Sequence, residues 1–229
     1  MWLEIYAVLF WILAAVGTFL KDKYAENPQG VVSRVSAIKI IPALIAIIYV
    51  VLTRPTSALF YVLLSVALVF CMLGDIGMEK DIIVGIGMFL IGHIFFTVNF
   101  LWQASNGGLV FANLVVPIAC MGGLSVFVFL FIRYLSSSGP EVPDFVLKAG
   151  TLYFLMISAT FSTSILLWLT TGNIWGLIPV IGALFFIISD SIIAINAFHH
   201  KISRAQLFIM PTYYLAIFLL SLGVFVYVF

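Results

Sequence analysis

Four residues of this 229-residue sequence stand where ionisable side chains are expensive: Lys39, Asp75, His93 and Asp190, each inside or at the floor of a long apolar run. An ionisable group in a membrane helix costs a few kcal/mol on insertion scales. Each therefore needs a reason that a loop charge does not. Two carboxyl groups in one site can divide the work, one protonated and donating, the other ionised and stabilising a cation or handling water. A lysine can hold a carboxylate ionised or meet a phosphate, and a histidine can orient a carboxylate or relay a proton. Plainer readings stand beside these. Asp75 is followed by Gly77, Glu79, Lys80 and Asp81 and could sit at the interface. Lys39 could snorkel to the headgroups, and His93 could be a core histidine satisfied by its neighbours. Asp190 resists such an account, because IISDSIIAI is apolar on both sides of it and its own run carries no basic neighbour.

The elements that must position these residues are set by composition. The sequence is 64% hydrophobic and 8% charged, against roughly 25% charged in a soluble domain. So few charges could not solvate a soluble surface, and lipid must be the main solvent. Every backbone N–H and C=O then has to be paired within the chain, by helices or a closed barrel. Barrel strands alternate apolar and polar residues over about ten positions. The apolar runs here are continuous and about twenty residues long, the length that crosses ~30 Å as helix. The sequence predicts an all-α integral membrane protein, a single transmembrane domain of eight spans, at about 2–20, 34–53, 58–78, 82–103, 109–132, 146–170, 174–198 and 205–229. The loops are short, and only 21–33 and 133–145 read as polar linkers. The first run carries Glu4, lacks a basic n-region and meets Lys21 and Lys23, which reads as a span with a stop-transfer flank and not a signal peptide.

Orientation follows from the bias of Lys and Arg. Lys21, Lys23, Arg34, Lys80, Arg133, Lys148, Lys201 and Arg204 fall on one side of an eight-span chain, and Arg54 alone on the other. The basic side is expected in the cytoplasm and both termini outside it. Trp2, Trp102, Trp168 and Trp175 fall near span ends, where interfacial indoles belong. Counting ~1.5 Å per residue from the cytoplasmic ends puts Lys39 ~8 Å deep, Asp190 ~12 Å and His93 ~17 Å, with Asp75 near the floor. All four share the cytoplasmic half, which points to one water-filled cleft opening on that side.

Small and polar residues accompany these four. Gly85 and Gly92 flank His93, and Gly182 and Ala183 precede Asp190, so close helix approach is expected. Pro42 removes a hydrogen bond to the carbonyl of Ile38, which could line a cavity beside Lys39. Asn196, Tyr213 and Tyr214 lie at similar depth and could donate to the site or bond between helices. Cys71 and Cys120 sit inside apolar runs and read as packing residues. Span three (Phe70, Gly74, Asp75) and span seven (Phe185, Ser189, Asp190) share a short pattern in helices of the same direction. A parallel repeat would produce it, although so few matching letters are better explained by chance.

Lys39 with Pro42, Gly74-Asp75, Gly92-His93, Gly182-Ala183-Leu184-Phe185 leading to Ser189-Asp190, and Tyr213-Tyr214-Leu215-Ala216 carry a resemblance over nearly the whole chain. It resembles the YhhN-like lysoplasmalogenase family of small eight-helix membrane proteins. The family pattern has a Gln after Tyr-x-Ala in the last helix; Ile217 stands there, which bears on headgroup preference. The resemblance implies hydrolysis of the vinyl ether bond of a lysoplasmalogen to a fatty aldehyde and a glycerophospho-alcohol. Such ethers react by protonation at the β-carbon, so an acid protonated near neutral pH and a second carboxylate are needed. In this reading Asp190 is the general acid and Asp75 handles the attacking water. His93 orients a carboxylate or relays a proton, Lys39 meets phosphate or holds Asp75 ionised, and Ser189, Asn196, Tyr213 and Tyr214 bind substrate. The expected partners are the lysophospholipid and membrane lipid. No nucleic acid is expected at a net charge of +1, and no cofactor or metal is required. The expected location is the inner membrane of a bacterium or the endoplasmic reticulum of a eukaryote.

Other classes use the same residues. A metal-dependent lipid hydrolase would ligate through Asp75, Asp190 and His93, but no span holds a closely spaced histidine pair, and His199 and His200 are adjacent loop residues. A proton-coupled transporter would use the buried carboxylates as a relay, yet no matched Gly/Pro breaks mark two halves. A structural subunit would leave the buried aspartates unexplained.

Overall fold

In a computed structural model of the chain, residues 2–24, 32–53, 57–137 and 142–227 are described, with 32–37 and 227 described by backbone alone. Every regular element among them is helical. The α-helices are α1 (Trp2–Lys23), α2 (Val32–Thr53), α3 (Ala58–Met78), α4 (Ile82–Asn106), α5 (Phe111–Leu135), α6 (Asp144–Thr171), α7 (Leu177–Phe198) and α8 (Gln206–Ser221). Short 3-10 turns, Ile174–Gly176 and Leu222–Tyr227, precede α7 and follow α8. Seven of the helices are long and apolar enough to cross a membrane, and α2 contributes a shorter apolar stretch, Ile38–Thr53. The chain is a multi-pass membrane protein. Arg54 and the Arg34 side chain lie outside the described residues.

Local chemistry sets the helix ends. Ser57 accepts a hydrogen bond from the Phe60 N–H and caps α3, and Asp81 accepts from Ile83 at 2.7 Å and caps α4. These caps satisfy amides that the helix itself leaves open. Gly172 closes α6 in the left-handed region at φ 61°, a conformation that glycine adopts at little cost. The last run is helical in two pieces and not one. The Ser221 hydroxyl bonds the Phe218 carbonyl and Tyr6 of α1, both at 2.6 Å, and α8 gives way there to the 3-10 turn.

Met78, Leu135 and Phe198, at the ends of α3, α5 and α7, line one cleft, and Lys21 of α1 pairs with Glu79 beyond α3. The four odd-numbered helices therefore end on one face. Packing within the bundle repeats between halves. As α1 packs on α2, α2 on α3 and α3 on α4, so α5 packs on α6, α6 on α7 and α7 on α8. The cross-contacts of α4 with α6 and of α8 with α2 are equivalent too, while α5 departs from this order and touches α7. Asp75 and Asp190 sit on α3 and α7, four helices apart.

Candidate functional site

Asp75 is almost completely buried at 2% exposure, and both of its oxygens are engaged. Oδ1 stands 3.1 Å from Lys39 Nζ, and Oδ2 accepts a 2.7 Å hydrogen bond from the Tyr213 hydroxyl. Three helices, α2, α3 and α8, meet at this carboxylate. Lys39 also faces Glu79 at 3.7 Å, and Glu79 pairs with Lys21. The charges form a ladder, Lys21, Glu79, Lys39, Asp75, running from the end of the bundle inward. A buried charge is tolerable when it is paired and its remaining lone pairs are bonded, and Asp75 meets both conditions. Gly74 makes room beside it: a Cβ there would lie 2.8 Å from the Phe89 ring.

Asp190 has a different setting. Its Oδ2 accepts from the Tyr153 hydroxyl of α6, and no lysine is bonded to it among the described residues. Both side chains line an apolar cleft between α3, α4, α5, α6 and α7. The rest of that lining is hydrophobic, Ile86, Phe89, Phe154 and Ile193 among it. The cleft has the chemistry of a slot for an aliphatic chain, with one acid and one phenol on its wall.

Ring contacts through Phe186 and His93 link Tyr213, bonded to Asp75, with Tyr153, bonded to Asp190. Phe186 stands edge-on to Tyr213, Phe89 and His93, with centroids 5.5, 5.9 and 4.5 Å apart. His93 is fully buried. Its Nδ1 is 3.1 Å from the Thr160 hydroxyl, and its ring stands edge-on to Tyr153 at 5.9 Å. It bonds to neither aspartate among the described residues, so the expected orientation of a carboxylate by His93 is not seen.

The remaining expected residues divide. Tyr213 reaches the site. Tyr214 donates to the Lys39 carbonyl at 3.2 Å, one residue from the carbonyl that Pro42 frees, and so fixes the lysine from behind. Ser189 donates to the Ile209 carbonyl at 3.2 Å and ties α7 to α8. Asn196 accepts from the Ile202 N–H at 2.9 Å and braces the turn after α7, away from both aspartates. His199 stacks on Tyr134, with its Nδ1 2.7 Å from that of His200. Among the described residues no three of His, Cys, Asp or Glu converge as a ligand set, so Asp75, Asp190 and His93 lack the arrangement a metal reading needs. Sequence reasoning missed Tyr153, Thr160 and Glu79. Depth held a signal for Tyr153: it follows the start of α6 by nine residues, as Asp190 precedes the end of α7 by eight, and the two helices are antiparallel.

These features define a class: a multi-pass membrane protein with two buried, tyrosine-bonded carboxylates beside an apolar cleft. The YhhN family model matches residues 35–224, which is most of the chain and includes every residue of both carboxylate clusters except Lys21. The chain belongs to the YhhN family. No curated protein matches it, and no solved structure does.

Proposed function

We propose that this protein is a lysoplasmalogenase-like hydrolase that cleaves the vinyl ether bond of a lysoplasmalogen. The observation that carries this reading is Asp190, hydrogen-bonded to Tyr153 on the wall of an otherwise apolar cleft. Membership of the YhhN family supports it. An aliphatic chain in the cleft brings its first double bond to the carboxyl group. Asp190 donates a proton to the β-carbon, and the ether oxygen takes up the resulting positive charge as an oxocarbenium ion. Water adds to the α-carbon, and the hemiacetal breaks to aldehyde and alcohol. Tyr153 steadies the carboxylate left after proton donation. The ionised Asp75, held by Lys39 and Tyr213, supplies negative charge near the cation, as in two-carboxylate glycoside hydrolysis. Lys39 is engaged by Asp75 and Glu79, so of its two expected roles, holding Asp75 ionised is the one its contacts favour.

The reading includes eight spans with both termini outside the cytoplasm, α2 completing the set. The basic helix ends then face the cytoplasm, and the cleft opens on that side. The membrane is that of a bacterial cell or of the endoplasmic reticulum. Incubation of purified protein with vinyl-ether and ester lysophospholipids, with aldehyde and fatty acid assayed, tests the reading. Aldehyde from the vinyl ether alone supports it; fatty acid from the ester replaces it with acyl hydrolysis.

A further inference from the structure

We propose that His93, not Asp75, is the base that takes the proton of the attacking water, with Thr160 and Thr97 as its positioning residues. The inference rests on the vinyl ether reading above and adds a role to the same site.

Asp75 cannot easily serve the water. Its two oxygens are committed to Lys39 and Tyr213. His93 offers what Asp75 lacks: Nε2 is buried and has no hydrogen-bond partner among the described residues. Native structures rarely leave such an atom unused, and a water or a functional role is the usual explanation. The ring stands edge-on to Tyr153, whose hydroxyl is on Asp190, and to Phe186.

The other side of the ring fixes the tautomer. The Thr160 hydroxyl lies 3.2 Å from the carbonyls of both Met156 and His93, and 3.0 Å from the Thr97 hydroxyl. A hydroxyl has one proton to give. A helical threonine gives it to a carbonyl of the preceding turn, so Thr160 receives from Nδ1–H. Nε2 then carries the lone pair and is the basic nitrogen.

The proton count closes. Asp190 protonates the β-carbon and becomes a carboxylate. Water adds to the α-carbon while one of its protons passes to Nε2. The C–O bond of the hemiacetal then breaks, the departing glycerol oxygen takes the proton from the imidazolium, and the hemiacetal hydroxyl returns a proton to Asp190. The net reaction consumes one water and leaves both side chains as they began.

The test compares His93→Gln with His93→Asn in the full-length protein in detergent or vesicles. Glutamine carries its amide near the place of Nε2, and asparagine near Nδ1. If Nε2 is the base, neither amide can take the proton, so both variants lose at least about 10²-fold in kcat at similar KM. If His93 merely bonds Thr160, His93→Asn, whose amide sits near the place of Nδ1, keeps near wild-type kcat, and the inference is overturned while the vinyl ether reading stands. Thr160→Val gives a second arm should either variant fail to fold: a drop in kcat at constant KM supports the proposal, and wild-type kcat contradicts it. A wild-type protein that leaves the vinyl ether intact removes both the function and this inference.

Discussion

Tyr153 donates a hydrogen bond from its hydroxyl to Asp190 Oδ2, and both side chains line the apolar cleft. Asp190→Asn keeps the size of the side chain and removes its acidic proton. Turnover is expected to fall at least about 10²-fold, the lower end of general acid–base contributions, with thermal unfolding near that of wild type. Tyr153→Phe removes a hydrogen bond to a group that is charged after proton donation. Such bonds contribute about 1.5–3 kcal/mol, so a loss of roughly ten- to a hundredfold is expected. Wild-type turnover in either variant takes that residue out of the chemistry. Ser191→Ala, whose hydroxyl only bonds the Ile187 carbonyl of its own helix, is the mild control.

The Lys39–Asp75 pair makes a stability prediction. Removing one partner of a buried ion pair leaves an uncompensated charge and costs about 3–5 kcal/mol. Lys39→Met and Asp75→Asn are each expected to lower the unfolding midpoint in detergent. The double variant, with no orphaned charge, is expected to be more stable than the sum of the two losses allows. Additive losses would show that the two side chains do not depend on each other.

Gly74 makes a packing prediction. A Cβ at this position meets the Phe89 ring at 2.8 Å, and overpacking of this kind costs about 1–3 kcal/mol. Gly74→Val is expected to displace Phe89 from the cleft wall and to lower both stability and turnover. Gly122, where no described residue lies within 4 Å of a Cβ, is the comparison, and Gly122→Ala is expected to leave turnover unchanged and stability no lower.

Much of this architecture was legible in the sequence because membrane helices are long, continuous and apolar. Starts such as Ala58 and Ile82 follow from a serine or an aspartate cap before an apolar run. The ionisable residues stood out because lipid makes them costly, which is how Asp75 and Asp190 were found. Their partners were harder to see. A tyrosine is unremarkable in an apolar run, so depth is the one signal for Tyr153, while Tyr213 belongs to a matching family motif. Glu79 looked like a loop charge, because its pairing with Lys21 and Lys39 depends on how α1, α2 and α3 meet. Asn196 was misleading for a related reason: depth alone does not say which way a side chain turns, and its carbonyl turns to the backbone of the following loop.

The expected orientation can be checked by labelling. Cysteine replacing Asn106 or Asn173, at the far ends of α4 and α6, is expected to react with an impermeant thiol reagent in intact cells. Cysteine replacing Ser137, after α5, is expected to be protected until the membrane is opened. Equal labelling at all three positions is incompatible with the proposed orientation.

The central claim, proton delivery from a carboxyl group to a vinyl ether carbon, is tested most directly by the fate of that proton. Purified protein is given a lysoplasmalogen in heavy water, and the aldehyde is trapped at once as an oxime and weighed by mass spectrometry. The account predicts aldehyde carrying a single deuterium at the carbon next to the carbonyl, no reaction of the saturated alkyl ether analogue, and unchanged turnover in the presence of a chelator. Aldehyde free of deuterium at that carbon, fatty acid released from an ester analogue, or activity lost to the chelator and restored by zinc would contradict it.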